Sequence, residues 1–211
     1  MINNEYIGKN SLQNIKYLSI EKNLKKILIF AGKNSFSNSG AESQLKTILS
    51  KFKYEVFYKT KQLPDIEDLK NFITKINNFR PDLIVAIGGG AVLDLAKVSN
   101  SLHNCENLEE SIKNSSNELN NFCELIAIPT TAGSGAETTS NAVMYINKIK
   151  YSVEGKEIKP NYIIIDPNLI LSTPKLIAAA SGMDAIAQSV ESLLSKKSTN
   201  ESVEYAVQSL K

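Results

Sequence analysis

Three stretches of this 211-residue sequence pair bare backbone or oxygen-bearing side chains with positions where a ligand could reach them. The first is Gly88-Gly89-Gly90-Ala91-Val92-Leu93-Asp94-Leu95-Ala96-Lys97, directly behind the apolar run Leu83–Ile87. Glycines at a strand-to-helix turn let backbone approach a ligand with no Cβ in the way. The helix that follows offers free N–H groups and a partial positive charge to a pyrophosphate. Asp94, one turn in, could accept from a cofactor amide or ribose, or simply complement the helix dipole. The second stretch, Pro129-Thr130-Thr131-Ala132-Gly133-Ser134-Gly135-Ala136-Glu137-Thr138-Thr139, also follows a buried-strand pattern. Its hydroxyls suit ribose and phosphate oxygens, unless they bond their own backbone. The third is Asp166-Pro167-Asn168-Leu169 followed by Gly182-Met183-Asp184-Ala185-Ile186-Ala187-Gln188. Asp184 and Gln188 stand four apart on one helix face, so both could point at one ion, an incomplete oxygen set for a divalent cation. The competing reading makes Asp184 a helix cap.

These stretches need a frame, and the hydrophobic pattern supplies one. Ile27–Phe30, Val56–Tyr58, Leu83–Ile87 and Leu125–Ile128 read as strands, the last two buried on both faces because they are continuously apolar. A polar loop is expected from Gly32 to Gly40, then a helix around Leu45, Ile48 and Leu49. Pro64-Asp65 opens an amphipathic helix with Ile66, Leu69, Phe72, Ile73, Ile76 and Phe79 at spacings of three and four, stopped by Arg80-Pro81. A further helix is expected over about 91–102, and a short one within the polar segment 104–121. This order implies parallel strands with right-handed crossovers, an open α/β sheet that binds ligands beyond the carboxyl ends of its strands. Val143–Ile146 and Tyr151–Val153 suggest a hairpin about Asn147-Lys148, and Ile163–Ile165 another strand. From Thr173, a candidate cap with Pro174 at the first helical position, only helical signals remain. They give a second helix over about 183–194 and a third beginning near Ser198 or Thr199. The expected division is an α/β domain over 1–172 and the beginning of a helical domain over 173–211.

Composition narrows the function. Hydrophobic residues at 42% and charged residues at 22% are ordinary for a globular protein and disfavour disorder. Apolar runs are too short to span a bilayer, and no secretory leader pattern opens the chain, so a cytoplasmic protein is expected. Lys+Arg 24 against Asp+Glu 22 leaves only +2, and Arg80 is the sole arginine, which argues against nucleic acid as a partner. Cys105 and Cys123 are not spaced as a metal or redox pair. The single histidine, His103, falls at a helix end and reads as a surface imidazole.

Taken together, GGGAVLDLAK, PTTAGSGAETT and DPNL followed by GMDAIAQ resemble, in order and spacing, the motifs of the iron-containing alcohol dehydrogenase family. The resemblance runs from about residue 25 to the end of the sequence. It implies a Rossmann-like dinucleotide-binding domain, a helical second domain, and NAD or NADP between them. By position it assigns Gly89, Gly90, Ala91, Asp94, Thr130, Thr131, Thr139, Lys150 and Leu169 to the cofactor, and Asp184 and Gln188 to the metal. That metal, iron or alternatively zinc, would polarise a small alcohol or aldehyde for hydride transfer. A homo-oligomer is a further implication.

The departures carry information too. Ala91 stands where the family has serine, and Ser134 and Ala136 replace Thr and Ser. Gly32 stands where many NAD-using members place an aspartate for the adenosine ribose, so a 2′-phosphate would be tolerated. Gln188 replaces the family's first metal-binding histidine, a weaker ligand. With Glu191-Ser192 and the Ser198–Ser202 run, it resembles the phosphonoacetaldehyde reductase-like members. No residue matches the family's remaining metal histidines, so the chain is expected to be an inactive N-terminal part. Two other functions stay open: a dehydroquinate synthase-like NAD-dependent lyase, and a non-catalytic nucleotide-binding module.

Overall fold

The computed structural model describes residues 4–114 and 119–211. Six parallel strands form the main sheet: β1 (Glu5–Ile7), β2 (Lys26–Gly32), β3 (Lys53–Lys59), β4 (Leu83–Gly88), β5 (Glu124–Pro129) and, after a hairpin, β8 (Tyr162–Ile165). Their spatial order is β1-β8-β5-β4-β2-β3. The hairpin strands β6 (Asn141–Ile146) and β7 (Ile149–Glu154) form a separate antiparallel pair. Both residues of its two-residue turn, Asn147 and Lys148, have positive φ, the backbone that matches hairpin twist.

The helices are α1 (Asn14–Glu21), α2 (Lys33–Asn38), α3 (Ala41–Ile48), α4 (Ile66–Phe79), α5 (Gly90–Ser101), α6 (Leu108–Asn114), α7 (Pro167–Ile170), α8 (Lys175–Leu194) and α9 (Asn200–Ser209). Asp65 caps α4 by accepting from the Asp68 amide, and Thr199 and Ser202 cap α9 reciprocally. Strand β2 shows why the core has two halves. Leu28 and Phe30 face α4 and α5, while Ile27, Ile29 and Ala31 face the side covered by α1 and α3, as the two-residue side-chain period requires. Phe30 stacks on Phe72 at 4.1 Å, and Phe57 meets both rings edge-on.

Several elements depart from expectation. The stretch after Gly32 is not a polar loop: Lys33–Asn38 forms α2, because Phe36 is buried against the sheet. The N-terminal β1 and α1 carry no strong local pattern. β1 exists by pairing with β8, Glu5 to Ile163 through Ile7 to Ile165, a contact far away in sequence. The two helices expected over 173–194 are one, α8, running through Gly182. Thr173 is not its cap. The residue before the helix is Pro174, and the Thr173 hydroxyl instead donates to the Thr130 carbonyl at 2.9 Å. The short helix expected in 104–121 is α6; residues 115–118 of that segment lie outside the described residues.

The helices α8 and α9 are the least buried part of the fold. Each has a single buried residue, Ser189 and Ala206, and Leu176, Met183 and Leu194 stand largely exposed. Among the described residues no helix is long and apolar enough to cross a membrane. Because Phe72 is fully buried in the Phe30–Phe57 cluster, Phe72→Ala should destabilise the protein by about 3–5 kcal/mol. Urea unfolding measures this, and a loss below about 1 kcal/mol would show that the sheet does not rest on this cluster.

Candidate functional site: the carboxyl edge of the sheet

Strand order places the site. The chain steps outward from β2 to β3, then crosses back to β4 on the other side of β2. A crevice at such a reversal is where open α/β sheets bind ligands. Gly32 ends β2, Gly88 ends β4 and Pro129 ends β5, so all three turns lie on one edge.

Gly88 has φ +158°, and a Cβ there would lie 2.8 Å from Val92 Cγ2, so the turn demands glycine. The Val92 and Leu93 amides both reach the Gly89 carbonyl. The Gly90 and Ala91 amides have no partner among the described residues and remain the donors of the α5 N-terminus. Beside this turn, an ideal Cβ on Gly89 would sit 3.5 Å from Thr131 Oγ1, so the two loops face each other as expected. Thr130 is almost fully buried, its amide bonded to the Gly88 carbonyl, and its hydroxyl has no partner. A cavity of about 270 Å³ opens here, lined by Thr130, Thr131 and Leu169 with Asn34, Ser35 and Thr173. An unpartnered buried hydroxyl, free amides and a cavity fit a polar ligand such as a dinucleotide.

Asp94 and Thr139 lie around a different centre, the buried lysine Lys97, while the exposed Lys150 acts only through its charge on Asp94. Lys97 is inaccessible to solvent, and its ammonium donates to the Ala136 carbonyl at 2.9 Å, Thr139 Oγ1 at 3.0 Å and the Asn141 carbonyl. Burial lowers its pKa to about 8, opposed by the charges of Asp94 and Glu137. It therefore remains a cation at neutral pH. Burial likewise raises Asp94 to about 6, against the Val143 amide, which Asp94 Oδ2 accepts at 3.1 Å, and the charges of Lys97 and Lys150. Asp94 thus ties α5 to β6. The Thr139 hydroxyl accepts from Lys97 and donates to the Asn141 carbonyl, which commits it to holding its own loop.

Lys97 was quoted in the sequence motif without a role. Its signal was a charged residue on a helix whose other positions from Val92 to Leu102 are mostly buried. The α2 residues Asn34 and Ser35 lie in a polar stretch whose one helical signal is the buried Phe36.

Asp184 and Gln188 meet on an exposed face of α8, where Gln188 Nε2 donates to Asp184 Oδ2 at 2.9 Å. Asp184 lies mid-helix, so the capping alternative fails. The pair stands one turn beyond Ser181, whose backbone packs so closely on Gly133 that a Cβ there would overlap Ser181 O at 2.1 Å. Gly133, at φ +148°, thereby docks α8 against the threonine-rich loop. Two oxygen donors do not make a four-coordinate iron or zinc site, and no group of three or more His, Cys, Asp or Glu side chains converges among the described residues. His103, at the end of α5, bonds the Asn100 carbonyl through Nδ1 and packs edge-on against Phe122, a structural role.

The raised Asp94 carboxyl has a consequence with a definite sign. Below about pH 4 the residue is protonated whether folded or unfolded, and burial costs nothing. Between there and about pH 6 the unfolded state ionises first, so stability falls, and the penalty persists above. Asp94→Asn keeps an oxygen for the Val143 amide without the charge. Its stability relative to the parent should rise by roughly 2 kcal/mol from pH 4 to pH 7 in paired urea titrations. A pH-independent difference would mean that Asp94 titrates as an ordinary carboxylate.

The model of the iron-containing alcohol dehydrogenase family matches residues 3–167. An alcohol dehydrogenase of Thermococcus barophilus is 30% identical over 97% of this chain and 56% of its own length. An NADPH-dependent butanol dehydrogenase of Clostridium saccharobutylicum is 28% identical over 90% of this chain and 50% of its own. The crystal structure of sulfoacetaldehyde reductase from Bifidobacterium kashiwanohense in complex with NAD+ superposes with a TM-score of 0.83 at 27% identity, covering 91% of this chain and 52% of that one. The chain therefore spans about half the length of the curated relatives it matches. With the family model matching residues 3–167, most of its length, the chain belongs to the iron-containing alcohol dehydrogenase family.

Proposed function

We propose that this chain forms the dinucleotide-binding part of an NAD(P)-dependent oxidoreductase that interconverts a small primary alcohol and its aldehyde. The observation that carries the reading is the meeting of the free Gly90 and Ala91 amides with Thr131 and the unpartnered Thr130 hydroxyl at the β4 and β5 ends. In this reading Gly89, Gly90 and Ala91 take the pyrophosphate, where amide donors and the α5 dipole favour negative charge. Thr130, Thr131 and Leu169 line the adjoining cavity. Asp94 and Lys150 lie toward the nicotinamide, and Thr139 acts by keeping its loop in place through Lys97. A nicotinamide held here supplies the hydride acceptor or donor of the reaction. The chain's own part is to orient it and keep its charged groups paired.

The same proposal divides the chain into an α/β domain over residues 1–172 and a helical portion over 173–211. The exposed apolar side chains of α8 and α9 support the division, since they resemble a helical core lacking its cover. Asp184 and Gln188 would contribute to a metal site, but two donors do not complete one. Family membership supports a dehydrogenase over a lyase of related fold.

The 211-residue chain should therefore bind NADH or NADPH with no alcohol-dependent reduction of the oxidised cofactor, with or without added iron or zinc. Gly89→Val, whose φ of −74° suits any residue, fills the space beside Thr131 and should weaken binding at least about tenfold while leaving the unfolding midpoint little changed. Fluorescence titration measures binding. Unaltered affinity in Gly89→Val would remove the pyrophosphate from this turn, and turnover by the chain would show that its own residues complete the catalytic site.

A further inference from the structure

Four buried side-chain oxygens have no hydrogen-bond partner among the described residues, and three of them belong to Ser11, Thr130 and Asp166. All three residues stand around the carboxyl end of β8. That strand lies between β1 and β5, and Asp166 is the residue that follows it. On one side Ile7 pairs with Ile165 and the Gly8 amide bonds the Ile165 carbonyl at 3.0 Å, so the chain leaving β1 passes beside Asp166. It then turns, with the Ser11 amide on the Gly8 carbonyl, into the 3-10 helix Ser11–Gln13. On the other side Ile126 pairs with Tyr162 and Ala127 with Ile163, and the same step carried onward sets Thr130 beside Asp166. Ile126, Ile128, Tyr162 and Ile164 all belong to the half of the core covered by α1 and α3. The two-residue side-chain period turns Thr130 and Asp166 to that half as well, where Leu12, next to Ser11, is also packed.

Asp166 makes the strongest demand. It is fully buried, and its Oδ1 accepts from the Asn168 amide at 3.1 Å while Oδ2 has no donor. No lysine, arginine or histidine pairs with it among the described residues. A sealed carboxylate without a counter-charge is strongly unfavourable, and a water molecule can fill its hydrogen bond but not balance its charge. Ser11 and Thr130 are also buried and bring hydroxyl oxygens. None of the three groups bonds another, so a single atom standing between them would satisfy all three. One carboxylate and two hydroxyls make a hard oxygen set with a single negative charge. Divalent ions caged by protein take several carboxylates, and no group of three or more His, Cys, Asp or Glu converges among the described residues. The charge and the donors match a monovalent metal ion. Such an ion takes lone pairs of Thr130 Oγ1 and leaves its proton free to donate into the neighbouring cavity.

We propose that Asp166, Ser11 and Thr130 hold a sodium or potassium ion at the end of β8, tying the turn after β1 to the loop after β5. Asp166 and Ser11 line no part of the cavity assigned to the dinucleotide, so the site stands whether or not a dinucleotide binds.

Thermal unfolding of the 211-residue chain at constant ionic strength, in sodium, potassium or choline chloride, reads the site directly. The midpoint should rise saturably with sodium or potassium, by at least about 3 °C over choline. Asp166→Asn keeps an oxygen for the Asn168 amide and removes the charge, so its midpoint should be the same in all three salts. Ser11→Ala removes one neutral ligand and should weaken the apparent ion affinity about tenfold. It carries the test if Asp166→Asn does not fold. A crystal structure grown in the salt that gives the larger rise should show the ion bonded to Asp166 Oδ2, Ser11 Oγ and Thr130 Oγ1. Equal midpoints of the parent in the three salts, a salt response unchanged by the substitutions, or a water at that position overturns the proposal.

Discussion

A lysine ammonium sealed from water is the constraint around which the carboxyl edge of the sheet is arranged. An unpaired cation at that depth would cost several kcal/mol, so the chain must keep oxygen acceptors on Lys97. They come from Ala136, Thr139 and Asn141, which pins the end of the glycine- and threonine-rich loop and the start of β6 to α5. Asp94 repeats the tie from one turn earlier by holding the Val143 amide. A loop with two positive-φ glycines, Gly133 and Gly135, would otherwise have little reason to hold one shape. The cost of burying charge becomes rigidity in the loop that faces the Gly88–Gly90 turn.

That rigidity divides labour along the edge. Between β4 and β5 the groups left unsatisfied are donors, the Gly90 and Ala91 amides and the Thr130 hydroxyl. Between β2 and β3 the exposed chemistry is cationic and the acidic groups are turned to structural work, Asp68 on its loop and Glu67 on Lys61. The helix α8 meets this edge through the Gly133–Ser181 contact, which brings Asp184 and Gln188 toward the same side without completing a metal site.

Much of the frame was legible because it rests on local pattern. Leu83–Ile87 and Leu125–Ile128 are continuously apolar, and α4 repeats its apolar residues at helical spacing, so their identities survive without tertiary information. What was missed depends on distant partners. β1 is a strand only because β8 runs beside it, and α2 forms around a single buried ring, Phe36. The motifs pointed to this sheet edge, but Thr139 and Asp94 have partners of their own in Lys97 and Val143. A sequence displays a hydroxyl or a carboxylate without saying what already occupies it. Lys97 was hidden for the same reason, since its acceptors lie some forty residues downstream.

The most direct test is a crystal structure of this chain grown with NADPH. Pyrophosphate oxygens on the Gly90 and Ala91 amides are expected. A dinucleotide bound away from the Gly88–Gly90 turn, or one whose pyrophosphate makes no contact with those amides, would contradict the assignment of this edge as the cofactor site.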